Sequence, residues 1–492
     1  MLSFRGVVVF WILYGLAHAS LRFAVSRTLT IDDARASELA QNFAPGYQIR
    51  QPPLYEWILW CVQQVLGPGI ESHLFVRYSL IGLLGLATYG AVREAAKDER
   101  WAAVASFSLV LSYPVGWTFH EWATQTVLLC IACMLTIHAT IRFFERPGTG
   151  AAVFLGVAVA FGAYSKFSYP LFLGGLFLAA LSIPDTRRRL LDVRLLISAA
   201  IVAVAMSPYV YWLVQVQGDV VADLSAHLVQ SAESHFQRAA YGLGRLATSV
   251  PTFLLPWIAF MALLAPPAFL RAADDAIPPS LAERLSFRTM AFAALLAAIG
   301  IVLAGATNVA SRYMHPILII APVFVFARIV RLAPGEERIR ATVIFLLAAA
   351  VVIFAIRVFT VTDNALTRQA GRALLLPYEE LAEVLKARGV TDGTLISPDV
   401  RETGNLRSFL PDVRVIAGDS RRMERPPRRA SDERSCVLIW ADGQRSSARR
   451  IARDAALTGE KIAIEAASSG AVLFREGDWA FARLDPKSPA CR

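Results

Sequence analysis

The chain has 492 residues, of which 55% are hydrophobic and 18% are charged, and its formal net charge is +10. A mean hydropathy of +0.48 is too high for a protein with a fully wetted surface, which excludes an ordinary soluble globular protein. The bilayer is the expected solvent. A helix needs about 17 to 25 mostly apolar residues to cross about 30 Å of hydrocarbon, and stretches near this length recur along the sequence.

Eleven apolar stretches are predicted to span the membrane, of which the fifth is the shortest. The first resembles a secretory signal peptide, but it lacks a small-residue cleavage site followed by a soluble domain, so we expect it to remain as a helix. In chain order the predicted spans are Val7 to Val25, Phe75 to Val92, Trp101 to Trp117, Trp122 to Ile141, Ala151 to Tyr164, Phe167 to Ile183, Leu195 to Val214, Val250 to Leu270, Thr289 to Gly305, Met314 to Val330 and Ala341 to Thr360.

Lys and Arg in the short loops predict the orientation, because these charges resist translocation. They collect on one side, which we predict to be cytoplasmic together with the N-terminus. An odd number of spans then places the C-terminal segment on the outer side of the membrane. Topology thus explains the positive charge, and no nucleic-acid partner is predicted. The basic residues are Arg93, Lys97, Arg100, Arg142, Arg146, Arg187, Arg188, Arg189, Arg194, Arg271, Arg284, Arg288, Arg328, Arg331, Arg338 and Arg340.

Three segments interrupt the succession of spans. The first periplasmic loop, residues 26–74, carries two amphipathic stretches and is a candidate site rather than a connector. A second outside loop covers Gln215 to Ser249. We predict a mainly α transmembrane domain over residues 1–360 and a small periplasmic α/β domain over residues 361–492. The second loop contains His227, His235 and Arg238 in a context with helical character, and His227 and His235 are expected to be polar loop residues rather than ligands.

The tail alternates short apolar runs with helical patterns, which favours a small α/β domain. Arg421 to Arg434 is rich in Arg and Pro and is predicted to be a loop. Cys436 and Cys491 both lie in this exported segment, where a disulfide is permitted but not required. The helical patterns are Pro377 to Arg388 and a stretch around Ser447 to Leu457, and the short runs are Gly393 to Ser397, Val413 to Ala417, Cys436 to Trp440, Lys461 to Glu465 and Trp479 to Leu484.

The first loop opens with Thr30-Ile31-Asp32-Asp33-Ala34-Arg35. One interpretation is a capped interfacial helix, since acids are favourable in a first helical turn. The other is a site, because Asp32 and Arg35 share a helical face where a span leaves the membrane. Sugar transfer from a lipid phosphate needs a carboxylate to take the proton of the attacking hydroxyl and cations to hold the phosphate. Asp32 can supply the first, and Arg35 and Arg50 the second.

Two further patterns have two interpretations each. Gln51-Pro52-Pro53-Leu54-Tyr55-Glu56-Trp57 combines a rigid turn with Tyr55 and Trp57, which either contact the acceptor or lipid substrate or form an interfacial aromatic belt. Lys166 follows a short span and precedes a Tyr-Pro pair. Its ammonium either extends to the membrane interface or binds a lipid phosphate.

The motifs from Asp32 to Arg77 resemble the first periplasmic loop of the dolichyl-phosphate-mannose protein mannosyltransferase superfamily. They are most similar to the bacterial branch with the aminoarabinose transferase of lipid A and the rhizobial galacturonosyltransferases. Ser165-Lys166-Phe167 and Ser311-Arg312-Tyr313-Met314-His315-Pro316 extend the resemblance to the tenth span, and the tail is weakly covered. The resemblance implies a GT-C fold, an undecaprenyl-phosphate sugar donor, and a periplasmic lipid or glycan acceptor such as lipid A or lipopolysaccharide core.

The resemblance also implies roles for single residues. Asp32 falls on the catalytic aspartate of the family, Asp33 replaces its usual glutamate, and Arg35 falls on an arginine that contacts donor phosphate. Glu121 occupies the region of a second acidic residue, although a solvated loop charge is the alternative. These residues make up the acidic part of the predicted site.

The chain departs from the aminoarabinose transferases before the Pro-Pro pair. Arg50 and Gln51 stand where those enzymes have an acidic residue and a lysine. The change makes His315 a weak candidate metal ligand and favours phosphate binding by Arg50. No cofactor is assigned with certainty, and a divalent metal stays open.

Together these patterns predict an inverting membrane glycosyltransferase with Asp32 as the general base. Direct displacement requires no soluble nucleotide, and the sequence contains no glycine-rich nucleotide fingerprint. A transporter or flippase of lipid-linked saccharides is the alternative, but it should carry charges near the membrane midplane, and the spans are nearly free of them. A structural or assembly protein is a third interpretation. The residues expected around the departing phosphate are Arg35, Arg50, Lys166 and Arg312.

Overall fold

The computed structural model describes residues 2–48, 50–121, 124–216, 234–266, 278–332, 336–362, 374–420, 424–464, 468–469, 472–473 and 477–491. Most of these residues are helical, and the strands that it describes all lie in the C-terminal region. The predicted fold class, a mainly α membrane protein with a small C-terminal α/β domain, is confirmed.

Seven helices of the described chain are long and apolar enough to cross a membrane, and two bent pairs qualify if each pair forms one span. The shorter apolar helices Thr149–Ser165 and Tyr169–Ser182 match the fifth and sixth predicted spans. Each predicted apolar stretch therefore coincides, at least in part, with a helix or a bent pair. The seven long helices are Phe4–Val25, Ile70–Ala96, Gln125–Glu145, Leu195–Gln215, Leu281–Ala304, His315–Leu332 and Arg338–Val361.

Two spans are bent. Glu99–Leu111 is followed by Tyr113–His120 at an angle of 61°. His235–Leu254 is followed by Trp257–Leu264 at 55°. A proline stands at each break, and because it lacks the backbone N–H and clashes with the preceding turn, it cannot continue a straight helix.

The second bent pair corrects the end of the predicted outside loop at Ser249, because the helix begins at His235 rather than at Val250. A helix begins at His235, directly after Ser234, whose side chain and that of Gln237 form a capping box. His235 Nε2 lies 2.8 Å from the carbonyl of Val302, so this histidine packs on a neighbouring helix. His227 lies outside the described residues.

Glycine allows close approach of the shorter helices to their neighbours. A Cβ at Gly162 would lie 2.2 Å from the Tyr169 ring, and one at Gly175 would lie 2.8 Å from Ala293. Small residues at contacts are the usual basis of helix packing in lipid. Tight packing thus accompanies the spans whose length alone is marginal.

The chain divides into two compact units. The first comprises residues 1–15, 49–52 and 79–353, and the second comprises residues 16–48, 53–78 and 354–492. The second unit therefore combines most of the first periplasmic loop and the tail with the adjoining ends of three spanning helices. The predicted domain boundary at residue 360 stays a prediction, and these units are drawn differently from it.

The tail of the second unit contains a five-stranded sheet with strand order β2-β1-β3-β7-β4. Strand β1 runs parallel to β2 and β3, and β7 is antiparallel to β3 and β4. The tail helices are Tyr378–Ala387, Val400–Phe409 and Arg445–Ala452. The strands are β1 (Gly393–Ser397), β2 (Val413–Ala417), β3 (Cys436–Ala441), β4 (Glu460–Ile464), β5 (Ser468–Ser469), β6 (Val472–Leu473) and β7 (Gly477–Leu484).

Apolar cores cover both faces of this sheet. The adjacent residues Leu395 and Ile396 belong to different buried clusters, because successive side chains of a strand point to opposite faces. Cys436 and Cys491 lie in the second cluster and form a disulfide bond. The disulfide that the sequence permitted is therefore present, and it ties the chain end to strand β3.

Candidate active site around the first periplasmic loop

The first periplasmic loop forms two helices, the first loop helix (Ile31–Leu39) and the second loop helix (Leu54–Leu66). Thr30 caps the first loop helix. Its hydroxyl accepts a hydrogen bond from the Asp33 backbone N–H and donates one of 2.8 Å to the Asp33 carboxylate. The predicted cap is present, and acids in the first turn suit the helix dipole. The two aspartates of this turn nevertheless have different surroundings.

Asp33 is buried and forms an ion pair with Arg77 of helix Ile70–Ala96. Arg77 Nη2 lies 2.6 Å from each carboxylate oxygen, and His73 Nδ1 lies 3.7 Å from Oδ1. Burial alone would raise the pKa of the Asp33 carboxyl, but Arg77, His73 and Thr30 outweigh it and hold that pKa well below its usual range. So acidic a carboxyl is a weak proton acceptor. Asp33 is better suited to fix the helix than to act as a base.

Asp32 is half-buried, and its charge acts on the hydroxyl of Tyr55 in the second loop helix. Tyr55 is fully buried, and within the described part of the chain its hydroxyl has no hydrogen-bond partner. Burial and then Asp33 raise the pKa of this phenol well above its usual range, so it stays a donor. Buried polar groups are normally satisfied. A substrate oxygen beside Asp32 would satisfy this one.

Three buried arginines form the arginine cluster, Arg22, Arg77 and Arg357. Each comes from a different spanning helix, Phe4–Val25, Ile70–Ala96 and Glu336–Thr362. Arg22 has electrostatic interactions with both other arginines and with Asp33. Tyr78 has electrostatic interactions with all three arginines. Buried charge is costly unless it is compensated, so this group of cations is suited to an anion such as a phosphate.

Arg35 is half-buried and has acidic neighbours in the tail. Its charge acts on the carboxylates of Asp399 and Asp419, which follow strands β1 and β2. The first loop helix therefore presents Arg35 toward the carboxyl ends of the parallel strands. Phosphate binding by Arg35 stays a prediction.

The tail helix Val400–Phe409 packs directly on the first loop helix. A Cβ at Gly404 would lie 2.2 Å from the carbonyl oxygen of Ala34, so only glycine permits this approach. Arg407 donates a hydrogen bond of 2.7 Å to the Ser37 carbonyl, and the Leu29 N–H donates one of 2.6 Å to Asn405. The tail thus helps to position the helix that carries Asp32.

Trp57 has the surroundings of an interfacial aromatic residue. Its indole N–H donates a 2.7 Å hydrogen bond to the Ala44 carbonyl, and its ring stacks with Phe43 at 5.3 Å. Phe43 is 53% exposed, and Val65, near the end of the second loop helix that carries Trp57, is 84% exposed. These features favour the aromatic-belt interpretation for Trp57, whereas Tyr55 faces the acidic site.

The other predicted residues belong to the first compact unit. Lys166 is half-buried and donates a 2.8 Å hydrogen bond to Thr126. Glu121 is half-buried in the turn after a short 3-10 helix. His315 is buried, with its ring 5.5 Å from that of Phe119. Their roles in the site stay predictions.

A metal finds little support around His315. Within the described ranges, no three His, Cys, Asp or Glu side chains are grouped so that they could hold an ion. We therefore derive no chemistry from a metal.

Two arginines were predicted to lie around the departing phosphate together with Arg35 and Lys166. Arg50 is half-buried in the first unit, and the side chain of Arg312 lies outside the described residues.

Arg22, Arg77 and Arg357 were not among the predicted site residues, although Arg77 closes the motif region of the first loop. A signal existed, because ionisable residues inside apolar spans are expensive and usually functional. The sequence alone does not show that these three arginines lie close together, because only the fold brings them together.

A sequence model of the dolichyl-phosphate-mannose-protein mannosyltransferase family matches residues 50–212. The chain is 27% identical, over 94% of each chain, to the lipopolysaccharide core galacturonosyltransferase RgtA of Rhizobium johnstonii. The chain is a membrane glycosyltransferase that is similar to members of this superfamily. A second relative of this glycosyltransferase, RgtB of the same organism, is 25% identical over 82% of this chain and 81% of RgtB, and it is also a lipopolysaccharide core galacturonosyltransferase.

Solved structures match the fold of this glycosyltransferase. ArnT from Cupriavidus metallidurans bound to undecaprenyl phosphate has a TM-score of 0.59 at 13% identity, covering 96% of this chain and 98% of ArnT. Its apo state gives the same TM-score at 97% and 98% coverage. At this identity the likeness concerns the fold alone. The GT-C fold and the enzyme class predicted from the sequence are confirmed, and the transporter alternative is set aside.

Proposed function

We propose that this glycosyltransferase moves a sugar from an undecaprenyl-phosphate-linked donor to a lipid or glycan acceptor such as lipid A or lipopolysaccharide core. Two kinds of comparison support the proposal. The curated relatives act on lipopolysaccharide core, and a protein of the same fold binds undecaprenyl phosphate. The observation that carries the proposal is the placement of Asp32 and the unpartnered Tyr55 hydroxyl beside the ion pair of Asp33 with Arg77.

The proposed reaction is a direct displacement with inversion. The acceptor hydroxyl gives its proton to the Asp32 carboxylate while its oxygen bonds to the anomeric carbon. The bond from that carbon to the phosphate oxygen breaks, and the electron pair leaves with undecaprenyl phosphate. Asp32 is the better base of the two aspartates. Burial raises the pKa of Asp33, but Arg77 and the other partners of Asp33 outweigh burial and hold that pKa low.

The arginine cluster is proposed to receive the departing phosphate. Charge develops on the phosphate as the sugar leaves, and preorganised cations in a dry site stabilise such charge strongly. Arg77 would then have two tasks, since it also pairs with Asp33 and so fixes the first loop helix. A donor phosphate bound near Arg77 would lie close to the helix turn that bears Asp32.

We place this site on the periplasmic side of the bacterial inner membrane, with the N-terminus in the cytoplasm. Lys and Arg are concentrated in every second short loop, and loops with such charges resist export and stay in the cytoplasm. The disulfide between Cys436 and Cys491 agrees, because such bonds persist in oxidising compartments. Cysteine-substitution labelling of the tail in intact spheroplasts tests this orientation directly.

Asp32→Asn tests the role of the base. We expect transfer from a radiolabelled undecaprenyl-phosphate sugar to purified lipopolysaccharide to fall about 10²- to 10⁴-fold, because a general base contributes about this much. Asp442→Asn, at an exposed tail position, is the control and should keep full activity. Membrane insertion and thermal stability of both variants should match the wild type. Full activity of Asp32→Asn would remove the mechanism.

A further inference from the structure

A polar cavity of about 420 Å³ lies in the tail beside the first loop helix, wholly within the second compact unit. Its lining includes the last residues of two neighbouring parallel strands, Ile396 of β1 and Ile416 and Ala417 of β2. In open α/β sheets, ligands bind at the carboxyl ends of parallel strands. The volume is within the range of small-molecule sites. Both position and size suit a ligand.

The cavity is lined by three arginines, Arg425, Arg450 and Arg453. Arg425 donates hydrogen bonds of 2.9 and 3.0 Å to the carbonyls of Pro489 and Ala490, next to the disulfide-bonded Cys491, which gives this wall a fixed geometry. Arg453 ends the helix Arg445–Ala452 in the left-handed region, with φ of 55°. The residue that ends a helix often takes this conformation, and a residue other than glycine is less common there.

Carboxylates complete the lining. Glu38 of the first loop helix is buried and accepts a 2.9 Å hydrogen bond from Ser420. Glu424, four residues after that serine, also lines the cavity. Guanidinium groups bind carboxylate or phosphate substituents, whereas carboxylates accept hydrogen bonds from sugar hydroxyls. The mixture fits a saccharide that carries acidic groups better than a neutral or purely ionic ligand.

The cavity is close to the proposed site of transfer. Glu38 and Asp32 lie six positions apart on one helix, and a rise of about 1.5 Å per residue separates their backbones by roughly 9 Å along the axis. Six residues also turn the helix so that the two side chains leave it about 120° apart. A saccharide seated against Glu38 would therefore have to extend by at least one further sugar, partly around the helix, to bring a hydroxyl to Asp32.

We propose that this cavity binds the acidic saccharide part of the acceptor and so selects it for transfer. This inference rests on the proposed function, and it assigns to the tail a task in acceptor recognition. The three arginines provide the charge selectivity. The first loop helix links the acceptor cavity to the carboxylate that deprotonates the acceptor.

The test measures acceptor kinetics of the full-length enzyme with two acceptors. The first is a lipopolysaccharide core with its acidic groups intact, and the second is the same core after reduction of its carboxylates to alcohols and removal of its phosphates. The variants are Arg450→Ala and Arg453→Asn, because asparagine tolerates the left-handed backbone. Arg445→Ala is the matched control, since it is exposed on the same helix outside the cavity lining.

We expect the KM for the acidic acceptor to rise about tenfold or more in each cavity variant, since each loses a charge-assisted contact. The kcat, the KM for the donor and the KM for the neutralised acceptor should not change. An acidic-acceptor KM equal to that of Arg445→Ala in both variants would overturn the proposal. If that happens while Asp32→Asn is inactive, only acceptor binding in the cavity is wrong; if Asp32→Asn is active, the mechanism is wrong.

Discussion

Replacing Arg77 with methionine should destabilise the second compact unit by about 3–5 kcal/mol, the usual cost of leaving a buried charge without its partner. The side chains of Arg77 and Asp33 are 1% and 5% exposed, and both carboxylate oxygens lie 2.6 Å from the same guanidinium nitrogen. For a domain of 150–250 residues this corresponds to a fall in Tm of roughly 6–20 °C. Tryptophan fluorescence of the purified enzyme in detergent during heating measures it.

The control is Arg27→Met, which removes an exposed pair with Glu379 of 3.4 Å. Exposed pairs contribute at most about 1 kcal/mol, so this variant should unfold near the wild-type temperature. Adding Asp33→Leu to Arg77→Met should restore much of the stability but not the activity, because neither member of this ion pair is then left buried without the other. Equal Tm values for the wild type and Arg77→Met would refute the reasoning.

The Tm difference between the wild type and Arg77→Met should also change with pH in a known direction. In the wild type the pKa of Asp33 is lowered, so its contribution is present above about pH 4 and lost as pH falls through the folded pKa. In Arg77→Met burial acts without the guanidinium and raises that pKa, so the variant gains stability as pH falls. The difference in Tm should therefore be largest near neutral pH and shrink in acid.

Two further predictions concern buried groups. Tyr55→Phe should keep the wild-type Tm but lower kcat/KM about 10- to 100-fold, the value of a hydrogen bond to a charged or developing oxyanion; unchanged kinetics would show that the hydroxyl has no substrate contact. Burial, and then Asp399, raise the pKa of Glu402 to about 7 from 4.5, so its stabilising contribution is present below pH 4.5 and lost as pH rises through 7. Glu402→Gln should therefore gain up to about 3 kcal/mol above pH 7, as thermal unfolding between pH 4.5 and 8 would reveal, and parallel curves would contradict it.

The membrane fold could be predicted to a large extent because apolar length is itself the signal. Residues 7–25 and 195–214, for example, are helices within a few residues of the predicted limits. Bends could not be predicted from apolarity, and proline alone does not mark them, since Pro114 and Pro256 stand at breaks whereas Pro208 and Pro251 lie inside helices that continue. The sequence indicated helical character around His235, but the span was predicted to begin only at Val250, because the residues before it are too polar to count as an apolar stretch.

The site was predictable only at the level of its segment. Asp32 and Asp33 are neighbours, and no pattern in the chain states which of two adjacent side chains faces Arg77. Their roles differ because a helix turns by about 100° per residue, so only one of them enters the buried pair. The arginine cluster joins Arg357 to Arg77 and Arg22, which lie 280 and 335 positions earlier in the chain, and local sequence contains no such information.

The contacts of the first loop helix bear on what the tail does. On one side the helix is held through Asp33 by Arg77 of a spanning helix, and on another Gly404 allows the tail helix to approach Ala34 without a side chain between them. Any shift of the tail would therefore move the helix and change the position of Asp32. Catalysis and acceptor binding are mechanically connected if both proposals hold, because Glu38 belongs to that same helix. An acceptor in the tail cavity would then rigidify the helix that carries Asp32. Without an acceptor Asp32 would be held less firmly, and transfer of the donor sugar to water would be disfavoured.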